Sequence, residues 1–391
     1  MVVHKLAPQP GEYSYVFGGR EPMIGIKPGD IVEVSTEDCF GGRVTSPDQL
    51  PSEAVPFNEM NPVSGPIQVE GAEPGDMLAV HFVSIVPARK YAVSCVLPQF
   101  GALTGTRETA MLNESLEERV WFYDIDLETW TASFKARNSD FRLQLPLDPM
   151  HGTVGVAPAG GEVRLVMTPS THGGNMDTPE ARAGTTLYLP VNVAGAMLSL
   201  GDGHARQGEG EVCGTGLESA MNSVIAVDLI KEGAAVAWPR LENDDYIMST
   251  GSTRPLEDAY RISQKDLVAW TSDLTGMDML DSYQLVSQMG LSPAANVCDP
   301  NYTMVAKLPK WTLQGAQAYG GAHNRLRKAA QDYSSREESA RNNGSAAGLL
   351  PETRRASVSD LRAVHAAREF CADLDAILTE HPHVLEVLPP K

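Results

Sequence analysis

The chain of 391 residues is 42% hydrophobic and 21% charged, an ordinary globular balance that excludes wholesale disorder. Its net charge of −19 argues against nucleic acid as a partner, because phosphate binding needs a basic patch, and favours small neutral or cationic ligands. No apolar run approaches the roughly 18 residues that cross a bilayer, the first residues lack a charged-then-apolar leader, and the five cysteines include no CxxC, so the expectation is a cytoplasmic protein with reduced thiols and no membrane partner.

Residues 22–87 carry the clearest strand signals. In 24–34 a turn at Pro28 and Gly29, followed by Asp30, separates two β-branched runs, and the same device returns at Pro74, Gly75 and Asp76. The two copies predict a small β-sheet unit that recurs. Asp38 ends the first of these strands ahead of Gly41 and Gly42, where it either lines a substrate pocket or sits in a solvated turn. Asn61 reads as an Asx-turn residue steadying its own proline-containing loop, and His81 as a half-buried strand residue. Aromatic strands are expected at 121–126 and 130–134.

From residue 146 strands alternate with glycine turns, at 152–158, 162–168, 185–193, 211–214, 224–229, 234–238 and 246–248. Pro255, followed by Glu257 and Asp258, opens a helix through Trp270, and 279–289 forms a second stopped by Gly290. Residues 296–308 read as a last strand. Residues 334–356 have the composition of a linker, and Leu361, Val364, Ala367, Cys371, Leu374 and Leu378 then fall on one face of a final helix. That docking face behind a β-rich body favours a homo-oligomer. The expected division is an N-terminal β-rich unit (1–145), a central β-sandwich and catalytic unit with two helices (146–310), and a linker with a C-terminal amphipathic helix (311–391).

Chemistry concentrates in residues 150–221, where His151, His172, Asn175, Asp177, Asp202, His204, Glu209, Glu211, Cys213 and Glu218 lie among many glycines. If the chain is extended there, Asp202 and His204 share a face with Cβ atoms roughly 6–7 Å apart. A carboxylate oxygen and an imidazole nitrogen can then converge on one divalent ion, about 2.0–2.2 Å from zinc. The glycines of His172-Gly-Gly-Asn175-Met-Asp177 permit a tight turn that brings Asp177 or His172 to the same ion. Asp177, Asp202 and His204 are the expected ligands, leaving a position for water, with zinc first and manganese or calcium as alternatives. The competing reading places His204 in a turn and Asp202 on backbone amides. Glu211 and Glu218, in apolar strand-like context, are the expected general bases, while Glu209 faces water. Cys213, read as a strand cysteine, offers a rival route through a thiolate nucleophile.

HGTVGVAPAGG, HGGNMD, LYLPVNVAGAMLSLGDGHARQGEGEVCGTGLE, MSTGSTRPLEDA and ANVCDPNYTMVAKLPK together resemble the acetamidase/formamidase family, from the strand near Asp30 to about Pro309. The resemblance implies a mainly β protein, a β-sandwich core with smaller mixed α/β units, that hydrolyses short linear amides to carboxylate and ammonia. It also carries Asp177, Asp202, His204, Gln207 and Glu211 onto the HGGNxD and GDxHxxQGxGE motifs. The expected enzyme is an amidohydrolase in which Glu211 or Glu218 moves the proton and Gln207 and Asn175 hold the tetrahedral oxygen or the amide N–H. Asn175, Asp38 and His172 are expected to contact a small amide substrate. The alternatives are a γ-lactam hydrolase, a covalent Cys213 amidase and a non-catalytic ligand-binding β-sandwich.

Overall fold

Both Pro-Gly-Asp turns are built alike. Gly29 and Gly75 take φ of 85° and 98°, a region open to a residue without Cβ. The next residue's carboxylate accepts the amide three positions back: Asp30 from Lys27 at 3.1 Å and Asp76 from Glu73 at 2.8 Å. The strands flanking each turn do not pair with one another, however. Ile24–Ile26 and Val63–Val69 run parallel in one sheet, whereas Asp30–Thr36 and Met77–Pro87 belong to another. What recurs is a crossing between sheets, and not the small sheet unit expected from the sequence.

The computed structural model describes residues 1–103, 116–231 and 237–342, all within one compact unit. Among the described residues, a nine-stranded sheet runs Val3–Leu6, Asp30–Thr36, Met221–Ile230, Met77–Pro87, Thr186–Pro190, Arg240–Glu242, Tyr246–Thr253, Tyr302–Pro309 and Ala294–Asn296. A five-stranded sheet runs Gly173–Asn175, Met150–Gly155, Leu198–His204, Val63–Val69 and Ile24–Ile26. Val32, Val80, Leu187 and Ile225 of the larger sheet share one buried cluster with Ile67, Val154, Leu198 and Leu200 of the smaller. This is the sandwich core, and each such side chain contributes about 1.5–3 kcal/mol of burial. Strands from both sides of residue 145 therefore share both sheets. A four-stranded sheet (Arg142–Pro146, Thr131–Lys135, Arg119–Asp126, Tyr91–Val96) joins this body through Val93, whose amide donates to Glu218 O.

The two central helices fall where the capping signals place them. Leu256–Thr275 follows Pro255, packs on Tyr246–Thr253 and Tyr302–Pro309, and ends at Gly276 with φ 73°. Met279–Met289 is capped by the Asp278 carboxylate, which accepts from Leu280 N and Asp281 N, both at 2.9 Å.

Several expectations change. Residues 211–214 form a turn, and 162–168 holds only the short strand Arg164–Leu165. The strand expected over 296–308 is broken after Asn296 and resumes at Tyr302. His81 is fully buried. The first part of the expected linker is helical, in Ala322–Asn342, because Leu326, Ala330 and Tyr333 form a buried stripe and the Tyr333 hydroxyl donates to Glu33 at 2.8 Å. The rest of that linker, the amphipathic helix after it and most of 234–238 lie outside the described residues. No helix among the described residues is long and apolar enough to cross a membrane.

Candidate active site

The strand Met150–Gly155 organises the site by pairing with neighbours on both sides. Thr153 lies opposite Asn175 on one strand and opposite Gly201 on the other. The HGGNMD and GDGH segments, far apart in sequence, are thereby set side by side. Gly152 sits at the centre. A Cβ there would meet Asp177 Oδ1 and come within 2.5 Å of Asp202 Oδ2, so the close approach of the two carboxylates needs glycine.

Four side chains of the cluster stand on backbone with positive φ: Asn61 at 53°, Asp177 at 45°, Asp202 at 54° and Glu211 at 43°. Such conformations are costly for residues with a Cβ and persist only where surrounding structure holds them. Asp202 therefore lies off the regular alternation assumed from the sequence. It nonetheless reaches His204, whose Nε2 is 3.4 Å from Asp202 Oδ1 and 3.2 Å from Glu218 Oε2. The opposite ring nitrogen, Nδ1, faces Gln207 Oε1 at 2.8 Å. Gln207 Nε2 donates to two carbonyls, Asp177 O at 2.7 Å and Ala295 O at 3.0 Å, which leaves its oxygen for His204 and the Nδ1 hydrogen pointing at it. Gln207 is thus spent on holding His204 and does not line the cavity.

Asp177, Asp202, His204, Glu211, Glu218 and Asp299 line a cavity of about 670 Å³ together with Asn61 and Asn175. Ligand atoms of Asp177, His204 and Glu211 lie within 4.8 Å of one another, and those of Cys39, Asp202 and Glu218 form a second such trio. The structure therefore groups Glu211 with Asp177 and His204, and places Asp202 in the neighbouring trio. Both oxygens of Asp177, Asp202 Oδ1 and Glu218 Oε2 are buried without a hydrogen-bond donor. Burial pushes Asp177 up to about 6 and Glu218 up to about 7, with the Asp202 charge adding to both. Glu211 and Asp299 rise well above the usual carboxylate range, by burial first and then by the charge of Asp177. Burial opposes a charged His204, yet Glu218 and Asp202 lift its pKa well above 6.5. Burial likewise works against Asp202, and the His204 charge with the hydrogen bonds it receives reverses that and holds it low.

Other expected residues fall elsewhere. Asp38 Oδ1 accepts Phe40 N and Gly42 N at 3.0 and 2.9 Å, and its Oδ2 receives Arg89 at 2.7 Å. It shapes its loop while its successors Cys39 and Phe40 line the cavity. His172 is buried, stacks edge-on against Phe17 at 5.2 Å, and has no hydrogen-bond partner at either nitrogen. It lies outside both ligand trios and the cavity wall. His151 binds Gly201 O at 3.0 Å and Ser223 Oγ at 2.8 Å. Cys213 is exposed in a turn, and its sulfur faces Thr215 and Ser94. A turn cysteine at the surface replaces the strand cysteine read from the sequence.

Two side chains, one read from the sequence as a turn residue and one lying within an expected strand, join the cluster itself. Asn61 is not confined to its own loop. Its Nδ2 reaches Asn175 Oδ1 and Asp202 Oδ2, each at 3.0 Å. Asp299, in the bend that interrupts the last strand, accepts Asn175 Nδ2 at 3.0 Å. Its one sequence signal was the Asp-Pro pair inside ANVCDPNY, which breaks a strand. Asn175 itself is held on three sides, since its Oδ1 also takes the Thr153 hydroxyl.

A two-sheet β-sandwich with a buried carboxylate and histidine cluster facing a ligand-sized cavity is the class of protein described by this fold and site. A family model described as the acetamidase/formamidase family matches residues 20–163 and 156–262. The chain belongs to that family. It is 41% identical to an acetamidase structure from Yersinia enterocolitica (TM-score 0.75), covering 81% of this chain and 93% of that one. An acetamidase structure from Bacillus halodurans is 30% identical with TM-score 0.71, covering 80% of this chain and all of its own, 100%. A formamidase from Methylophilus methylotrophus is 28% identical over 256 residues, 54% of this chain but only 62% of the relative's length.

Proposed function

We propose that this chain hydrolyses the C–N bond of small linear amides to a carboxylate and ammonia. The observation that carries the reading is the cluster itself: five buried carboxyl groups and His204 line one cavity, with several oxygens left without a donor. Buried carboxylates of this density need protons or a cation between them. That requirement, with a mixed oxygen and imidazole donor set, fits a divalent ion, zinc first. Asp177, His204 and Glu211 would hold it, and in that position a divalent ion polarises a carbonyl and acidifies water. Asp202, tied by Asn61 and Thr153, orients the His204 ring.

Glu218 has the geometry of the proton carrier. Its Oε1 is anchored by Gly216 N at 2.8 Å, while its Oε2 lies 3.2 Å from His204 Nε2 at the cavity wall. It takes a proton from the attacking water and returns it to the departing nitrogen. Asn61 and Asn175 carry side-chain amides in the cavity wall beside the cluster, and they orient the substrate carboxamide. Cys213 lies outside the cavity wall and has no part in the step.

The test is ammonia release by the purified chain from formamide, acetamide, urea and a γ-lactam. Turnover of linear amides is expected, lost in Asp177→Asn and after extended chelation, restored by zinc, and retained in Cys213→Ala. Release from none of them would leave a ligand-binding sandwich, and loss in Cys213→Ala would leave the covalent route. A cytoplasmic location and a homo-oligomer complete the proposal. Four free cysteines among the described residues support the first, and exposed Met279, Leu280 and Tyr283 on one helix support the second.

A further inference from the structure

We propose that the amide taken by this site carries an apolar acyl group of several carbons, and that formamide and acetamide are its minimal substrates only. The inference rests on the amidase reading above and concerns the part of the cavity which that reading leaves unused. At about 670 Å³ the cavity falls in the range of roughly 300–1,000 Å³ that encloses drug-sized ligands. A carboxamide engages only the acidic cluster and its two asparagines. The remaining wall includes Phe40, Val55, Met60, Leu97, Phe100 and Met167.

This wall is preformed. Phe40, Val55, Met60 and Met167 are buried members of one hydrophobic cluster, and Leu97 and Phe100 pack against it. The apolar lining is thus an extension of the core, positioned before any ligand arrives, and an apolar occupant removes it from water without a cost of ordering. Charge narrows the class further. The described lining holds no lysine or arginine, while the cluster contributes five carboxyl groups, so an acyl chain ending in a carboxylate would be repelled. The substrate class is a neutral aliphatic or arylalkyl primary amide.

The experiment compares kcat/KM, from ammonia release by the full chain, across formamide, acetamide, butyramide, hexanamide and phenylacetamide. The expected result is a rise of about fourfold for each added methylene, the gain from burying one CH₂ against apolar wall. Phe100→Ala should lower the hexanamide-to-acetamide ratio by about tenfold, and far-UV circular dichroism reports whether that variant is folded. A profile that peaks at formamide or acetamide overturns this inference and leaves the amidase reading standing. Ammonia from none of the five removes both.

Discussion

Gln207 Oε1 lies 2.8 Å from His204 Nδ1, and the two carbonyls around Gln207 Nε2 leave the glutamine no other orientation. The bond decides which imidazole nitrogen faces the carboxylate cluster. Gln207→Leu keeps the bulk and removes the acceptor. We expect kcat to fall by about 10–100-fold, the usual cost of losing the partner behind a site histidine. KM should change by less than about threefold. Steady-state kinetics on acetamide check this, and an unchanged kcat would show that His204 needs no such support.

Gly152 gives a second, steric prediction. An added methyl would press on Asp177 and Asp202 at the centre of the sheet. Gly152→Ala should lose at least about a hundredfold in turnover and about 1–3 kcal/mol of stability from the forced shift. Ammonia release and urea unfolding measure the two separately. A variant with full activity would mean that the two carboxylates need not approach so closely.

His172 should prove dispensable for catalysis. Its ring is buried with both nitrogens unpartnered, which costs stability in an apolar setting. Burial, with Arg164 adding, lowers its pKa to about 4. His172→Leu is expected to unfold at the same temperature or higher and to stay within about threefold of the parent in kcat/KM. A large loss of kcat/KM in a well-folded variant would return His172 to the substrate site.

Acid stability follows from His81. Its Nδ1 is 2.9 Å from Thr186 Oγ1, and burial, with His323 alongside, pushes its pKa down to about 3. The unfolded value is near 6.5. Between these values the unfolded chain binds a proton that the folded chain refuses, so the stability is complete above about pH 6.5 and is lost as pH falls toward 3. His151, lowered to about 4, acts in the same sense. The raised-pKa carboxyl groups of the site contribute in the opposite sense over this range, so the His81 effect is read by difference: relative to the parent, His81→Asn should gain up to about 1.4 kcal/mol of stability per pH unit as pH falls from about 6.5 to about 4.5 in urea unfolding. An unaltered slope in the variant would contradict the assignment.

How much of this was legible beforehand depends on the range of each interaction. The Pro-Gly-Asp turns, the helix opening after Pro255 and the helix stopping at Gly290 rest on contacts within four residues, and local spacing reveals them. The dense run 150–221 likewise marked the site, with Asp177, Asp202, His204, Glu211 and Glu218 all in the cavity wall. Asn61 was read as a local turn residue because its partners, Asn175 and Asp202, lie 114 and 141 positions away. Asp299 hid inside an apparent strand for the same reason.

The sequence alone determined that this is a mainly β protein of the acetamidase/formamidase type, and it located the run of residues carrying the chemistry, because periodicity, turn chemistry and motif order are properties of the linear chain. Only the tertiary structure decided how those residues divide. It set Glu211 beside Asp177 and His204, turned Gln207 from the substrate to His204, sent His172 against Phe17, and joined the cluster to an apolar wall from residues 40–100 and 167. The physical reason is that each of these relationships is made across strands of a sandwich. Strand register and backbone at positive φ choose the neighbours there, and neither can be read from spacing along the chain.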